Sequence, residues 1–198
     1  HLTLESGHKL FDSQYLSRPS PRVGNGIVEE FEHTGTHTRI KVDGVWMETK
    51  SLIIASGASP RYLDLDREKQ LIGHGLTSCA TCDGALPMFR NKPLVVIGGG
   101  DTACEEALYL TRFASVVYLV HRRDTLRASK IMADRVLANE KIKPIWDSAV
   151  EEILDVKADV VTGVRLKNLK TGELTTMDCS GVFVAIGLVP NTELGHLE

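Results

Sequence analysis

The sequence lacks most of what would mark a secreted, membrane-spanning or nucleic-acid-binding chain. Four cysteines occur in 198 residues, and only two of them lie close together. That is too few and too scattered for a disulfide framework. No apolar run approaches the ~18 residues that a membrane-spanning helix needs. The net charge of −3 provides no basic excess for a nucleic-acid partner. No internal repeat, low-complexity tract or secretory leader is visible. The length suits one domain, or one and a part, with a proper core. A reducing cytoplasm is the expected compartment, because a close pair of thiols works there as a redox couple rather than as a staple.

What the chain does have is concentrated between Cys79 and Arg127. Leu94-Val95-Val96-Ile97 is short, apolar and rich in β-branched residues, as a buried parallel strand is. It runs into Gly98-Gly99-Gly100-Asp101-Thr102-Ala103, a G-x-G-x-x-A turn. Gly98 permits the tight turn, Gly100 lets a pyrophosphate approach the backbone, and Ala103 lets the following helix pack on the strand. Ala103, Ala107, Leu110 and Ala114 then recur at helical spacing. The start of that helix suits a phosphate, and Glu105 and Glu106 lie in its first turns, where negative charge also suits the dipole.

A second strand, Val116 to Val120, ends in His121-Arg122-Arg123-Asp124, with Arg127 close behind. An NAD site carries an acid at this position for the ribose 2′-hydroxyl. Arginines in its place offer forked, charge-assisted hydrogen bonds to a phosphate. The expected nucleotide is therefore NADP(H).

Upstream stands Cys79-Ala80-Thr81-Cys82-Asp83-Gly84. Two thiols at this spacing can open and close a disulfide, and the motif can depress one thiol's pKa. Asp83 is placed to act as a general acid toward a leaving thiolate. A zinc site needs four ligands, yet Cys104 and Cys179 stand alone and His74 is isolated. A pair of buried structural cysteines is the other alternative, and the residue types alone leave it open. Cys104 and Cys179 sit inside apolar patterns and read as inert core residues.

These motifs resemble low-molecular-weight thioredoxin reductase of the bacterial, fungal and plant type. Cys79 to Gly84 matches its C-A-T-C-D-G, Gly98 to Ala103 its G-G-G-[DN]-[ST]-A, and His121 to Ala128 its H-R-R-x-x-x-R-A. Gly181 to Thr192 and the Ala55-Ser56-Gly57-Ala58 turn also match, so the likeness runs from about Lys50 to Thr192. The resemblance implies an α/β fold: a Rossmann-like NADPH-binding domain of the two-dinucleotide-binding-domain flavoprotein type, with a partial β-rich FAD-domain segment. It implies the route NADPH to FAD to the Cys79–Cys82 disulfide to thioredoxin, within a homodimer. Catalytic roles fall to Cys79, Cys82 and Asp83. Cofactor contacts fall to Gly98, Gly99, Gly100, Asp101, Thr102, Ala103, His121, Arg122, Arg123, Arg127, Ile186 and Gly187, with no metal.

The family's FAD-binding G-x-G-x-x-G and its C-terminal Gly-Asp motif are not in this sequence. The chain therefore resembles the middle of such a reductase: residues 1–61 a partial FAD-domain segment, 62–192 the NADPH domain with the dithiol, 193–198 the start of a further FAD-domain segment. A flavin-free NADPH-binding module, or a fragment of a peroxiredoxin-reducing flavoprotein, is the alternative.

Elsewhere, residues 1–35 carry no family motif, and 17–21 and 24–26 read as loop. Thr38–Val42 and Val45–Glu48 read as a hairpin around Asp43-Gly44, and 51–55 as a strand. The polar stretch 60–77 reads as a linker with a short helix and a solvated charged face. A helix is expected over 129–139, capped by Ser129, with Ile131, Val136 and Leu137 as apolar positions. Strands are expected over 142–146, 149–154, 161–169, 174–177 and 182–186.

Overall fold

A computed structural model describes residues 2–3, 9–11, 26–66 and 68–192. The loop expected at 17–21, most of that at 24–26, and the segment 193–198 lie outside the described residues. The chain divides into two compact units, His1–Ser59 with Leu188–Glu198, and Pro60–Gly187.

The regular elements described in the first unit are all strands. β1 (Leu2–Thr3), β2 (Lys9–Phe11) and β6 (Ile53–Ala55) form one antiparallel sheet. β3 (Val28–His33), β4 (Thr38–Val42) and β5 (Val45–Thr49) form another. The β4–β5 turn has positive φ at both Asp43 (47°) and Gly44 (79°), the twist that matches a two-residue hairpin. The Asp43 carboxylate also accepts from the Ile27 amide at 2.9 Å. β3 is an element the sequence reading did not find. Only Val28 of its six residues is buried, so it has no clear alternation to read. β7 (Ala58–Pro60) pairs with β16 (Leu188–Pro190).

The second unit is built on a five-stranded parallel sheet in the order β11–β10–β9–β15–β8. Its strands are β8 (Leu76–Thr77), β9 (Pro93–Ile97), β10 (Val116–Val120), β11 (Ile142–Ile145) and β15 (Gly181–Val184). Strand period two sends alternate side chains to opposite faces. Leu94 and Val96 of β9, Val117 and Leu119 of β10 and Phe183 of β15 face one layer. That layer is made by α1 (Ala80–Asp83), α2 (Asp101–Leu110) and α3 (Lys130–Leu137). Ala103, Ala107, Leu110 and Ala114 are all buried there, as their spacing requires. Phe183 packs edge-on against Phe89 with ring centroids 5.2 Å apart.

The opposite face presents Val95, Ile97, Val120, Val182 and Val184. It is covered by a three-stranded antiparallel sheet of β12 (Ser148–Ile153), β13 (Gly163–Asn168) and β14 (Leu174–Asp178). The expected strands are thus present, but covering this face is a job that hydrophobic periodicity could not assign.

Three local expectations are corrected. The 60–77 stretch is more than linker: Leu76–Thr77 is the edge strand β8, too short to carry a pattern. Nor is its charge all solvated. Glu68 is buried, accepting from the Leu63 and Leu65 amides at 3.0 and 3.3 Å. At α3, Val136 is buried, but Ile131 and Leu137 are exposed. Ser129 does not cap α3 with its side chain; it is drawn instead to Asp101.

Candidate functional site

Because the five strands are parallel, their C-terminal ends lie along one edge of the sheet. That edge is where open α/β sheets bind ligands. Every residue that the sequence singled out for chemistry follows one of these ends.

At the end of β9, Gly98 has φ +150°. A Cβ there would lie 2.4 Å from the Ala185 carbonyl oxygen and 2.7 Å from the Ala103 Cβ. Only glycine fits. Gly98→Ala is expected to lower stability by about 2–4 kcal/mol, combining backbone strain with overpacking. Urea unfolding reads this directly, and an unchanged midpoint would contradict it. Gly100, by contrast, has open space where its Cβ would be. It caps α2 without any side-chain hydrogen bond to the first-turn amides. An open approach to uncapped helix amides is what a pyrophosphate needs.

At the end of β10, the 121–129 loop folds back over this turn. The Arg127 amide donates to the Gly99 carbonyl at 2.7 Å. The Asp101 carboxylate accepts from both the amide and the hydroxyl of Ser129 at 2.8 Å each. Asp124 and Asp147 share Lys170, at 3.4 and 2.9 Å. The charge of Asp124 is thereby answered from a distant hairpin, between β13 and β14. Arg122, Arg123 and Arg127 are all exposed, and none forms an ion pair among the described residues. Three free guanidinium groups beside an open glycine turn fit NADPH, with the 2′-phosphate as the group they would hold.

His121 lies beneath the loop rather than in it. It is buried, its ring packs where a Cβ on Gly99 would be, and its Nε2 has no partner among the described residues. Burial pushes its pKa below the usual 6.5, the Thr125 backbone pulls it back up, and the positive charges of Arg123, Arg122 and Arg127 lower it further. The unfolded chain thus binds this proton more readily than the folded one. Stability from His121 is fully present above the unfolded value of about 6.5 and is lost progressively as pH falls below it, down through the lower folded pKa. Thermal melts of His121→Gln are expected to show a flatter acid limb between pH 7 and 5; an identical limb would refute the assignment.

Ile186 and Gly187 follow β15, the strand next to β9, and both are exposed. Gly187 has φ +111° and its carbonyl accepts from the Arg61 amide at 3.0 Å.

At the end of β8 stands the dithiol. Cys79 and Cys82 are joined as a disulfide across the single turn of α1. Cys79 is half-buried and Cys82 exposed. The Cys79 sulfur accepts from the Cys82 amide at 3.2 Å. Asp83 is fixed by the Thr77 hydroxyl, which donates to its carboxylate at 2.5 Å. Cys104 and Cys179 are free thiols in the core, pushed by burial up to about 11 and about 12. The His74 ring is taken by the Asp159 carbonyl at 2.8 Å. No group of three or more His, Cys, Asp or Glu side chains is gathered as a metal site among the described residues.

The structure therefore gathers two groups on one edge: Cys79, Cys82 and Asp83 after β8, and the glycine turn with His121 and the arginines across β9 and β10. Ile186 and Gly187 lie after the strand between β8 and β9. Thr77, Lys170 and Asp147 support these groups from places without a local sequence signal.

A family model described as pyridine nucleotide-disulphide oxidoreductase matches residues 24–198. The chain belongs to that family. It is 49% identical over 187 residues to the thioredoxin reductase of Rickettsia felis, covering 91% of this chain and 60% of that protein. A Mycobacterium leprae protein named bifunctional thioredoxin reductase/thioredoxin is 49% identical over 155 residues, covering 78% of this chain and 33% of that protein. Among solved structures, Lactococcus lactis thioredoxin reductase superposes with a TM-score of 0.74 at 44% identity, covering 84% of this chain and 54% of that one. The chain thus spans no more than about three fifths of these relatives. No helix among the described residues is long and apolar enough to cross a membrane.

Proposed function

We propose that this chain is the NADPH-binding, dithiol-bearing part of a flavoprotein disulfide reductase whose protein substrate is thioredoxin. The observation that carries the reading is the shared sheet edge. A disulfide and an open glycine turn, flanked by three arginines that form no ion pair among the described residues, follow parallel strands of one sheet. Residues 60–187 serve as the nucleotide domain, and the strands of the other unit belong to the flavin domain. NADPH, when bound at the glycine turn, would supply a hydride, and reduction of the disulfide would need the flavin chemistry that the family resemblance implies. No described residue is assigned to hold the flavin.

The chain's own residues then do three things. Gly98 to Ala103 and the α2 amides seat the pyrophosphate, and Arg122, Arg123 and Arg127 select the 2′-phosphate. Once reduced to thiols, Cys79 and Cys82 pass their two electrons to the thioredoxin disulfide: one thiolate attacks it to form a mixed disulfide, the other displaces thioredoxin as a dithiol and re-forms the Cys79–Cys82 bond, the exposed Cys82 being the sulfur more open to a protein partner. Asp83, oriented by Thr77, protonates the leaving sulfur. The thioredoxin assignment draws on the relatives' names, including the one that joins reductase and thioredoxin in one protein. A working dithiol fits a reducing cytoplasm.

The test is a titration of the purified chain with NADPH, read by nucleotide fluorescence and by thiol counts, with and without added FAD. NADPH binding, with Cys79 and Cys82 released as thiols when FAD is present, is expected. Binding without release under any condition would make the chain a nucleotide-binding module only. Absence of NADPH binding would overturn the reading.

A further inference from the structure

Beneath the dithiol turn lies a carboxyl group that the reaction above does not use. Glu106, in the second turn of α2, points away from solvent and toward α1. Its Oε1 accepts from the Ala80 amide at 3.5 Å, in the residue next to Cys79. Its Oε2 is buried and has no partner among the described residues. A buried, half-satisfied carboxyl is costly to keep. Glu105, its neighbour in sequence, is exposed and needs no such account.

We propose that Glu106 is a positioning residue of the dithiol site: it anchors the start of the Cys79–Cys82 turn and, through its state of protonation, controls how readily the reduced pair forms a thiolate. This rests on the reading of Cys79–Cys82 as a working dithiol.

Among the described residues, none of the titratable groups around Glu106 forms an ion pair with its carboxylate. On α1 the facing groups are the two cysteines and Asp83, the latter already held by Thr77. On α2 they are Asp101, Cys104, Glu105 and Tyr109, with Asp101 committed to Ser129. α3 contributes Lys130 and Asp134, which pair with each other, and Arg135. β9 carries no titratable residue and β10 only Tyr118. No cation pairs with the carboxylate among the described residues. Burial raises its pKa to about 7, opposed only by the Ala80 amide. The group therefore changes charge in the range where the dithiol would work.

The sign follows from like-charge repulsion. Below pH 6 Glu106 is neutral and leaves the thiolate undisturbed. Above pH 8 it is ionised and pushes the thiol pKa up. By linkage, forming the thiolate pushes the Glu106 pKa up as well.

The experiment uses the full chain, opened with dithiothreitol, freed of reductant and alkylated with iodoacetamide across pH 5–9. Peptide mass spectrometry reads Cys79 and Cys82, while Cys104 and Cys179 stay buried. Glu106→Gln keeps the size of the side chain and removes its charge. The variant is expected to react at the same rate as the wild type below pH 6 and about three- to ten-fold faster at pH 8. Parallel profiles, with one ratio at every pH, would reduce Glu106 to a packing residue and overturn the proposal. A pair that dithiothreitol cannot open sinks the dithiol reading and this proposal with it, so the two failures are distinguishable. Should the variant not fold, carbon-13 NMR of the wild-type Glu106 carboxyl decides. Its midpoint is expected to be higher in the reduced than in the oxidised chain, and equal midpoints overturn the idea.

Discussion

Cys79→Ser is expected to abolish all dithiol-dependent reduction while leaving NADPH affinity within about two-fold of the wild type. The loss is total because neither remaining core thiol can take over. Cys104 and Cys179 are buried and their thiols are pushed up to about 11 and about 12. At pH 7 a thiol of pKa ~11 is ionised in only about one molecule in 10⁴, and the thiolate is the nucleophile. Nucleotide affinity survives because the glycine turn and the arginine loop follow β9 and β10, whereas the dithiol follows β8. The fold survives too. The Cys79–Cys82 bond closes only a four-residue turn, so it removes little entropy from the unfolded chain. A melting temperature close to wild type, with NADPH still bound and no disulfide reduced, is the expected set of results. Collapse of the fold would instead mark the pair as structural.

Arg122→Ala combined with Arg123→Ala is expected to weaken NADPH binding by roughly 100-fold or more and NADH binding by only a few-fold. Each charge-assisted hydrogen bond to a phosphate contributes about 1.5–3 kcal/mol, and 1.4 kcal/mol is a factor of ten. Neither guanidinium has an ion pair among the described residues, so their removal strands no described carboxylate. The nearest acid in sequence, Asp124, is held by Lys170. Fluorescence titration with both nucleotides decides the matter: equal losses for NADPH and NADH would remove the 2′-phosphate from the assignment. A high-salt titration is a useful companion, because screening should narrow the NADPH-over-NADH preference of the wild type.

Much of the local geometry of the candidate site was legible in the sequence because its pieces are local. A positive-φ glycine between an apolar strand and a helix, an Asp-Gly hairpin and a Cys-x-x-Cys spacing each satisfy their geometry within a few residues. The same holds for α2, whose buried face is a run of small residues at helical spacing. Relations that join distant segments were not legible. Glu68 reads as a solvated charge, yet it closes the 63–68 turn through two backbone amides. Ser129 has the residue type of a helix cap, but an Asp101 carboxylate 28 positions upstream competes for its hydroxyl and wins. Glu106 reads as a dipole-friendly acid in the first turns of α2, and only the packing of α1 on α2 buries one of its carboxylate oxygens.

By itself, then, the sequence determined the turns, the helix and strand periods and the close spacing of the Cys79–Cys82 pair. These depend on backbone conformations and side-chain chemistry that neighbouring residues impose. The tertiary structure decided what depends on chain crossings. It inserted β15 between β9 and β8, and laid the β12–β14 sheet over one face of the parallel sheet. It brought Lys170 to Asp124 and turned the Glu106 carboxylate toward the amide next to Cys79. Strand order and the pairing of distant charges are set by which apolar faces can be covered at once, and that is a property of the packed chain as a whole.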